Sequence, residues 1–231
     1  MYGYNAISLL WYDFCRIDAD ECIGTQMNVS ASILRPEVKV VILDLDGTLY
    51  DKRCLPLRMV LGDLPECPLL LKERRVRKAM RGKWYGSQDA FYKTFYTKMA
   101  QHRLCTESFM RWWYVTTYMP LMVRILRQRC TPYPWVVPFL QQCREMGVHV
   151  VLLSDYGSAK EKVEALGVDT GLFDWIVSAP ELGGLKPAPQ LMDAVTGRMQ
   201  VSPSQCIVIG DREDTDGAMA RAAGAEFFCV K

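Results

Sequence analysis

An abrupt change from apolar to polar residues at position 44 defines the first predicted element. Five of the six residues at 38–43 are Val, Ile or Leu, which predicts a short, buried parallel strand. The polar sequence DLDGT follows at residues 44–48. Ligands of open α/β sheets bind beyond the carboxyl ends of the strands, so we expect Asp44 and Asp46 to face a site. Helix capping is the simpler alternative for an aspartate in this position.

The pattern becomes helical between about residues 55 and 129. Two apolar stripes run through this stretch: Phe91, Phe95 and Met99 in the first, and Trp112, Val115 and Met119 in the second. Residues three or four positions apart share one helix face, so the spacing predicts a helical bundle with both stripes in its core. The basic run at 71–83 is expected to be a solvated surface. At least one aromatic residue of 112–114 is expected in the core.

Strands and helices alternate again after the prolines at positions 132, 134 and 138. Strands alternating with helices predict a parallel sheet with right-handed crossovers, and therefore an α/β fold. The predicted later strands lie at 148–153, 175–177, 206–209 and 227–230. The predicted helices lie at 136–146, 158–166, 189–199 and 216–223.

Composition excludes several classes of function. The net charge of +2 over 231 residues gives no reason to expect a nucleic-acid partner. No apolar stretch approaches the roughly 18 residues of a membrane helix. The nine cysteines include no CxxC pair and the chain has only two histidines, so we expect a reduced, cytoplasmic protein without a zinc site. Residues 1–36 are predicted to be an extension outside the core, and Met27 is an alternative start.

Polar residues also follow the later predicted strands. Ser154 and Asp155 directly follow the second predicted strand, and Lys186 lies in a Gly- and Pro-rich loop. The sequence GDREDTD follows the fourth strand at 210–216. Each segment alone could be a cap, a solvated lysine or an exposed turn. Together they should converge on one sheet edge. Clustered carboxylates repel one another unless a cation is present, and Mg²⁺ prefers such hard oxygen ligands.

These four segments resemble the four motifs of the haloacid dehalogenase-like (HAD) hydrolase superfamily. The resemblance is closest to phosphoglycolate phosphatase-like phosphatases with a helical C1-type cap. It implies a doubly wound, HAD/Rossmann-like parallel sheet formed by residues 37–50 and 132–231. The α-helical cap domain would comprise residues 51–131.

The resemblance also implies a role for each matching residue. Asp44 would be the nucleophile that forms an aspartyl-phosphate, and Asp46 the general acid and base. Ser154, Lys186 and Gly47 would bind the substrate phosphate, with Lys186 also offsetting charge during the reaction.

Magnesium would be held at the end of the sheet. The implied metal residues are Asp44, Asp46, Asp211 and Asp216. Asp44, Asp211 and the backbone carbonyl of Asp46 would be ligands, and Asp216 would support the site through a metal-bound water or Lys186. Asp214 is a second candidate for the last acid of the fourth motif, and Asp216 is preferred. Asp155 stands where many relatives carry Asn.

The resulting expectation is a Mg²⁺-dependent phosphatase acting on a small soluble phosphomonoester, which would be its small-molecule partner. A phosphomutase or another phosphoryl transferase would use the same core. A non-catalytic scaffold that binds a protein through the helical insert is the alternative from another class. The sequence leaves the substrate and the oligomeric state open.

Overall fold

A single parallel sheet organises the protein. The computed structural model describes residues 33–53, 55–62, 67–101 and 105–230. Within them, five strands have the order β3-β2-β1-β4-β5, and every neighbouring pair is parallel. This confirms the predicted α/β fold. The strands are β1 (Val40–Leu43), β2 (His149–Ser154), β3 (Trp175–Ser178), β4 (Cys206–Gly210) and β5 (Glu226–Cys229).

Strand β1 lies at the centre of the sheet because it is apolar on both faces. Val41 pairs with Val150 of β2 on one side and with Ile207 of β4 on the other. Val41 and Leu43 face one apolar cluster, whereas Val40 and Ile42 face a second cluster on the opposite side. Successive strand residues point to opposite faces, so covering both faces requires the continuous apolar run found in the sequence.

Helices dominate the stretch between β1 and β2. Ser87 and Thr106 cap two of them by accepting hydrogen bonds from the N–H groups of Ala90 and Phe109. We call residues 55–129 the helical insert; its division from the core as a cap domain stays a prediction. The insert contains α1 (Leu55–Gly62), α2 (Cys67–Met80), α3 (Gln88–Ala100), α4 (Glu107–Trp113), a π-helical segment (Tyr114–Tyr118) and α5 (Met119–Arg129).

The π-helical segment overturns part of the predicted core. The stripe of Phe91, Phe95 and Met99 is buried, as predicted. In the second stripe Met119 is buried, but Trp112 and Val115 are 57% and 56% exposed, so that prediction is wrong for both. Hydrogen bonds from i to i+5 widen the turn, and α-helical spacing therefore no longer identifies the buried face. The expectation for 112–114 is met by two residues, since Trp113 and Tyr114 are buried.

The prediction of a solvated basic run is wrong at one residue. Arg75 and Lys78 are exposed, but Arg77 is buried. Its Nε lies 2.7 Å from Oε1 of Glu73, which is also buried. An arginine can be buried when a carboxylate neutralises it and its other donors have acceptors.

The rest of the chain completes the layers around the sheet. Leu34 is buried against the core, whereas residues 1–32 of the predicted extension, including Met27, lie outside the described residues. None of the described helices is long and apolar enough to cross a membrane. The remaining α-helices are α6 (Val136–Glu145), α7 (Ala159–Ala165), α8 (Ala179–Leu182), α9 (Gln190–Met199) and α10 (Ala218–Ala223).

Truncating Phe95 should destabilise the protein. The Phe95 ring is fully buried, stacks on Phe91 at 6.4 Å and meets Tyr114 edge-on at 5.2 Å. We expect Phe95→Ala to lower the free energy of unfolding by about 3–5 kcal/mol in urea titrations, because it leaves a cavity. The exposed Val115→Ala is the matched control and should change it by no more than about 0.5 kcal/mol. Equal losses in both variants would contradict this assignment of the core.

Candidate active site

The polar residues predicted from the strand ends meet at one edge of the sheet. Asp44 directly follows β1, Ser154 is the last residue of β2, and Asp211 directly follows β4. Lys186 reaches the same place from the loop between α8 and α9, where its ammonium group contacts Asp44. All four residues are buried. A buried polar cluster of this kind must be internally paired to be stable.

Lys186 provides much of that pairing. Its Nζ lies 2.6 Å from Oδ1 of Asp44, 2.6 Å from Oδ1 of Asp216 and 3.1 Å from the carbonyl oxygen of Leu153. Burial lowers the pKa of Lys186, but Asp216 and Asp44 outweigh this effect and hold it well above the ordinary value. Lys186 is therefore an ammonium group. Burial raises the pKa of Asp216 to about 7, against the lowering effect of Lys186.

The carboxylate of Asp44 is held from two sides. The Thr48 hydroxyl donates to Oδ2 at 2.8 Å, and Lys186 donates to Oδ1. Both contacts fix the side-chain rotamer of Asp44. A carboxylate whose side-chain orientation is fixed at the carboxyl end of a strand is suited to nucleophilic attack.

Three carboxylates form a candidate metal site. Asp44, Asp211 and Asp216 are buried and offer oxygen atoms that all lie within 4.8 Å of one another. The Nζ of Lys52 lies 2.6 Å from Oδ2 of Asp211, so a cationic group already contacts this cluster. Hard oxygen donors in this number fit a divalent cation such as Mg²⁺.

A glycine allows the chain to pass close to this cluster. Gly47 has a φ of +98°, and a Cβ atom there would lie 2.4 Å from Oδ2 of Asp211. Both facts require glycine. The backbone at Gly47 therefore lies beside the candidate metal site, and its contact with a substrate phosphate stays a prediction.

The geometry separates the two candidate acids of the fourth motif. Asp216 is buried against Lys186. Asp214 is 57% exposed at its side chain and pairs instead with Arg81 and Arg212, each at 2.7 Å. This arrangement favours Asp216 as the acid that belongs to the site.

Asp46 has different partners from the metal cluster. Lys162 Nζ lies 2.8 Å and 2.6 Å from its Oδ1 and Oδ2, and the Tyr50 hydroxyl donates to Oδ1 at 2.5 Å. Ser154 Oγ is 3.3 Å from Oδ2. Burial raises the pKa of Asp46, but Lys162 and Tyr50 outweigh it, so the pKa lies below the ordinary value. Asp46 is therefore held as an anion.

Lys162 is a residue at this site that the sequence interpretation missed, as it did Tyr50 and Lys52. It lies on α7 and is fully buried. The available signal was its spacing: Ala159, Val163 and Leu166 occupy the same helix face and are buried. A lysine on such a face indicates a buried acidic partner.

Asp155 has a structural role in the loop that follows β2. Its Oδ1 accepts the backbone N–H of Lys186 at 2.9 Å. The next residue, Tyr156, donates its N–H to Ser154 Oγ at 3.1 Å. Burial raises the pKa of Asp155. This loop therefore fixes both the Ser154 hydroxyl and the Lys186 backbone.

Two relatives illustrate the sequence similarity. A 95-residue segment is 36% identical to a glyceraldehyde 3-phosphate phosphatase of Methanopyrus kandleri and covers 40% of each chain. A longer match of 207 residues is 26% identical to a phosphoglycolate phosphatase of Nitrosospira multiformis and covers 84% of this chain and 83% of that enzyme. The first match thus spans less than half of that relative's length.

Solved structures show the same fold. A predicted phosphoglycolate phosphatase from Haemophilus somnus superposes with a TM-score of 0.56 at 20% identity, covering 83% of this chain and 84% of that chain. A 2-haloacid dehalogenase from Pseudomonas syringae gives 0.58 at 17% identity, with coverages of 83% and 86%. At these identities the similarity concerns the fold alone.

The strongest comparison is with a family model. The model of haloacid dehalogenase-like hydrolases matches residues 38–224. That range contains every strand of the sheet except the last and all the residues of the candidate site described above. The chain therefore belongs to the haloacid dehalogenase-like hydrolase family.

Proposed function

We propose that this protein is a Mg²⁺-dependent phosphatase that hydrolyses a small, soluble phosphomonoester through an aspartyl-phosphate. The observation that carries the proposal is the pair of aspartates after β1. Asp44 is oriented by Lys186 and Thr48 beside an acidic cluster, and Asp46 lies two residues further on with separate partners. The phosphatase names of two relatives support this choice over a dehalogenase or a phosphomutase.

In the first step, Asp44 attacks phosphorus and the substrate oxygen leaves. Ser154 and Lys186 donate hydrogen bonds to the phosphoryl oxygens, and the backbone at Gly47 allows the phosphate to approach. Phosphoryl transfer depends on such positioning and on stabilising the charge on the equatorial oxygens. Asp44, Asp211, Asp216 and the backbone carbonyl of Asp46 would hold Mg²⁺, which when bound supplies further positive charge.

Asp46 serves both halves of the reaction. As a carboxylate it accepts a proton from the water that hydrolyses the aspartyl-phosphate, and this is the form that Lys162 and Tyr50 favour. To protonate the leaving oxygen in the first half, it must gain a proton as the substrate binds. The contacts of Asp46 therefore stabilise the carboxylate that the second step needs, and not the protonated form that the first step needs.

The helical insert and the residues that flank it, 51–131 in all, would act as a cap that covers the site and selects the leaving group. Closure over the site excludes water and strengthens its electrostatic interactions. We assign the protein to the cytoplasm, where small phosphorylated metabolites occur. A non-catalytic scaffold is less well supported, because the proposed catalytic groups are all present and paired: Lys186 contacts Asp44 and Asp216, and Lys162 contacts Asp46.

The Asp44→Asn variant should abolish hydrolysis. A carboxamide cannot act as the nucleophile, so we expect the rate to fall by at least about 1,000-fold. Phosphate release is measured with phosphoglycolate, glyceraldehyde 3-phosphate and p-nitrophenyl phosphate, with and without Mg²⁺. The phosphorylated wild-type intermediate, detected by mass spectrometry, should disappear on treatment with hydroxylamine, which cleaves acyl phosphates.

The control for this experiment is Asp193→Asn, which changes an exposed aspartate on α9. It should behave like the wild type. Turnover that persists in Asp44→Asn would contradict the proposed nucleophile, and a folded wild-type protein without turnover on any phosphomonoester would contradict the proposed function.

Magnesium affinity should distinguish the two acids of the fourth motif. We expect Asp216→Asn and Asp211→Asn to weaken Mg²⁺ binding by at least about tenfold in isothermal titration calorimetry, because each removes a charged oxygen donor at the site. Asp214→Asn is the matched control from the same segment and should bind like the wild type. An Asp214→Asn variant that is weakened as much as Asp216→Asn would contradict the assignment.

A further inference from the structure

A buried ion pair lies on α2 of the helical insert. Arg77 on α2 donates through Nε to Oε1 of Glu73 at 2.7 Å. Glu73 accepts a second hydrogen bond from the Tyr118 hydroxyl at 3.0 Å. Removing one member of such a pair leaves a buried, uncompensated charge, whereas removing both charges together is far less destabilising. Net stabilisation is therefore a weak explanation for this pair, and its other contacts must be considered.

Arg77 also crosses from the insert to the core. Its Nη1 donates to the carbonyl oxygen of Asp155 at 2.8 Å, although the two residues are 78 positions apart in the chain. The guanidinium carbon lies 4.2 Å from the centre of the Tyr156 ring. One side chain thus holds two consecutive residues of the loop, by a charge-assisted hydrogen bond and by a cation–π contact.

The same loop carries groups that the proposed mechanism uses. Tyr156 donates its N–H to Ser154 Oγ, and Asp155 accepts the N–H of Lys186. A displacement of this loop would therefore move the Ser154 hydroxyl and the Lys186 backbone together. Arg77 is connected to both through one intermediate residue each.

We propose that Arg77 is a positioning residue that couples the helical insert to the loop at 154–156 and thereby sets the placement of Ser154 and Lys186. This inference rests on the proposed function for the roles of those two residues. The loop contacts themselves do not depend on the reaction.

Arginine is needed here because three acceptors lie in different directions. Nε serves Glu73, Nη1 serves Asp155, and Nη2 donates to the Tyr114 hydroxyl at 3.0 Å. The planar guanidinium presents its donors in a fixed fork. A lysine carries the same charge on a single nitrogen, which cannot reach all three acceptors. We therefore expect Arg77→Lys to keep only part of the wild-type activity.

The test uses a double variant that avoids an unpaired buried charge. Arg77→Met combined with Glu73→Gln removes both charges and keeps an acceptor for Tyr118. Arg75→Met is the control, because Arg75 is an exposed arginine on the same helix. Thermal unfolding first establishes that the double variant is folded. Hydrogen–deuterium exchange of the full-length protein then reports the loop at 154–158 without any substrate.

We expect faster exchange at 154–158 in the double variant and unchanged exchange in Arg75→Met. With the best substrate, kcat should fall by about 100-fold while KM changes much less, because misplaced groups cost rate rather than binding. Adding Ser154→Ala to the double variant should cost little more, since its hydroxyl is already misplaced.

Unchanged exchange at 154–158 in a folded double variant overturns the proposal, whatever the activity. A Ser154→Ala effect as large in the double variant as in the wild type also overturns it. A wild-type protein without phosphatase activity would instead be a failure of the proposed function. In that case the exchange measurement still tests the coupling of Arg77 to the loop.

Discussion

The buried bridge from Lys186 to Asp44 and Asp216 is the interaction on which the site depends. It joins the segments that follow β1 and β4 to a loop that belongs to neither strand. Without the ammonium group, buried carboxylates at the end of the sheet would repel one another and favour protonation. In the proposed mechanism, the ammonium group that stabilises this cluster would also offset charge on the phosphoryl group. Stability and the proposed chemistry use one set of contacts.

The fold could be predicted because its determinants are local and periodic. The run of Val, Ile and Leu before Asp44 is long enough for one strand, and the later alternation of strands and helices leaves little choice of fold class. A general property of parallel sheets was enough to predict that Asp44, Ser154, Lys186 and Asp211 converge, and no knowledge of individual residue contacts was needed. Parallel strands share one carboxyl edge, so positions far apart in the chain could be placed together.

The residues that were missed or misplaced depend on features that spacing along the chain does not reveal. Lysine and arginine side chains are usually exposed. Lys162 and Arg77 are buried because they have partners on other elements, which the sequence pattern does not show. Trp112 and Val115 were misplaced because a π-helical turn cannot be read from α-helical spacing. The resemblance to the family motif favoured Asp216 over Asp214, but the physical reason lies in their neighbours. Lys186 contacts Asp216, whereas two arginines contact Asp214.

The central position of β1 has a consequence for how the protein is made. Its partners β2 and β4 begin at His149 and Cys206, after the helical insert, and Asp44 is 142 positions from Lys186. During synthesis on the ribosome, both edges of this apolar strand therefore stay unpaired until the segments that form β2 and β4 have emerged. Long-range pairing of this kind slows folding and leaves edges open to aggregation. Both edges of β1 can therefore be paired only after the segment that contains β4 has been synthesised.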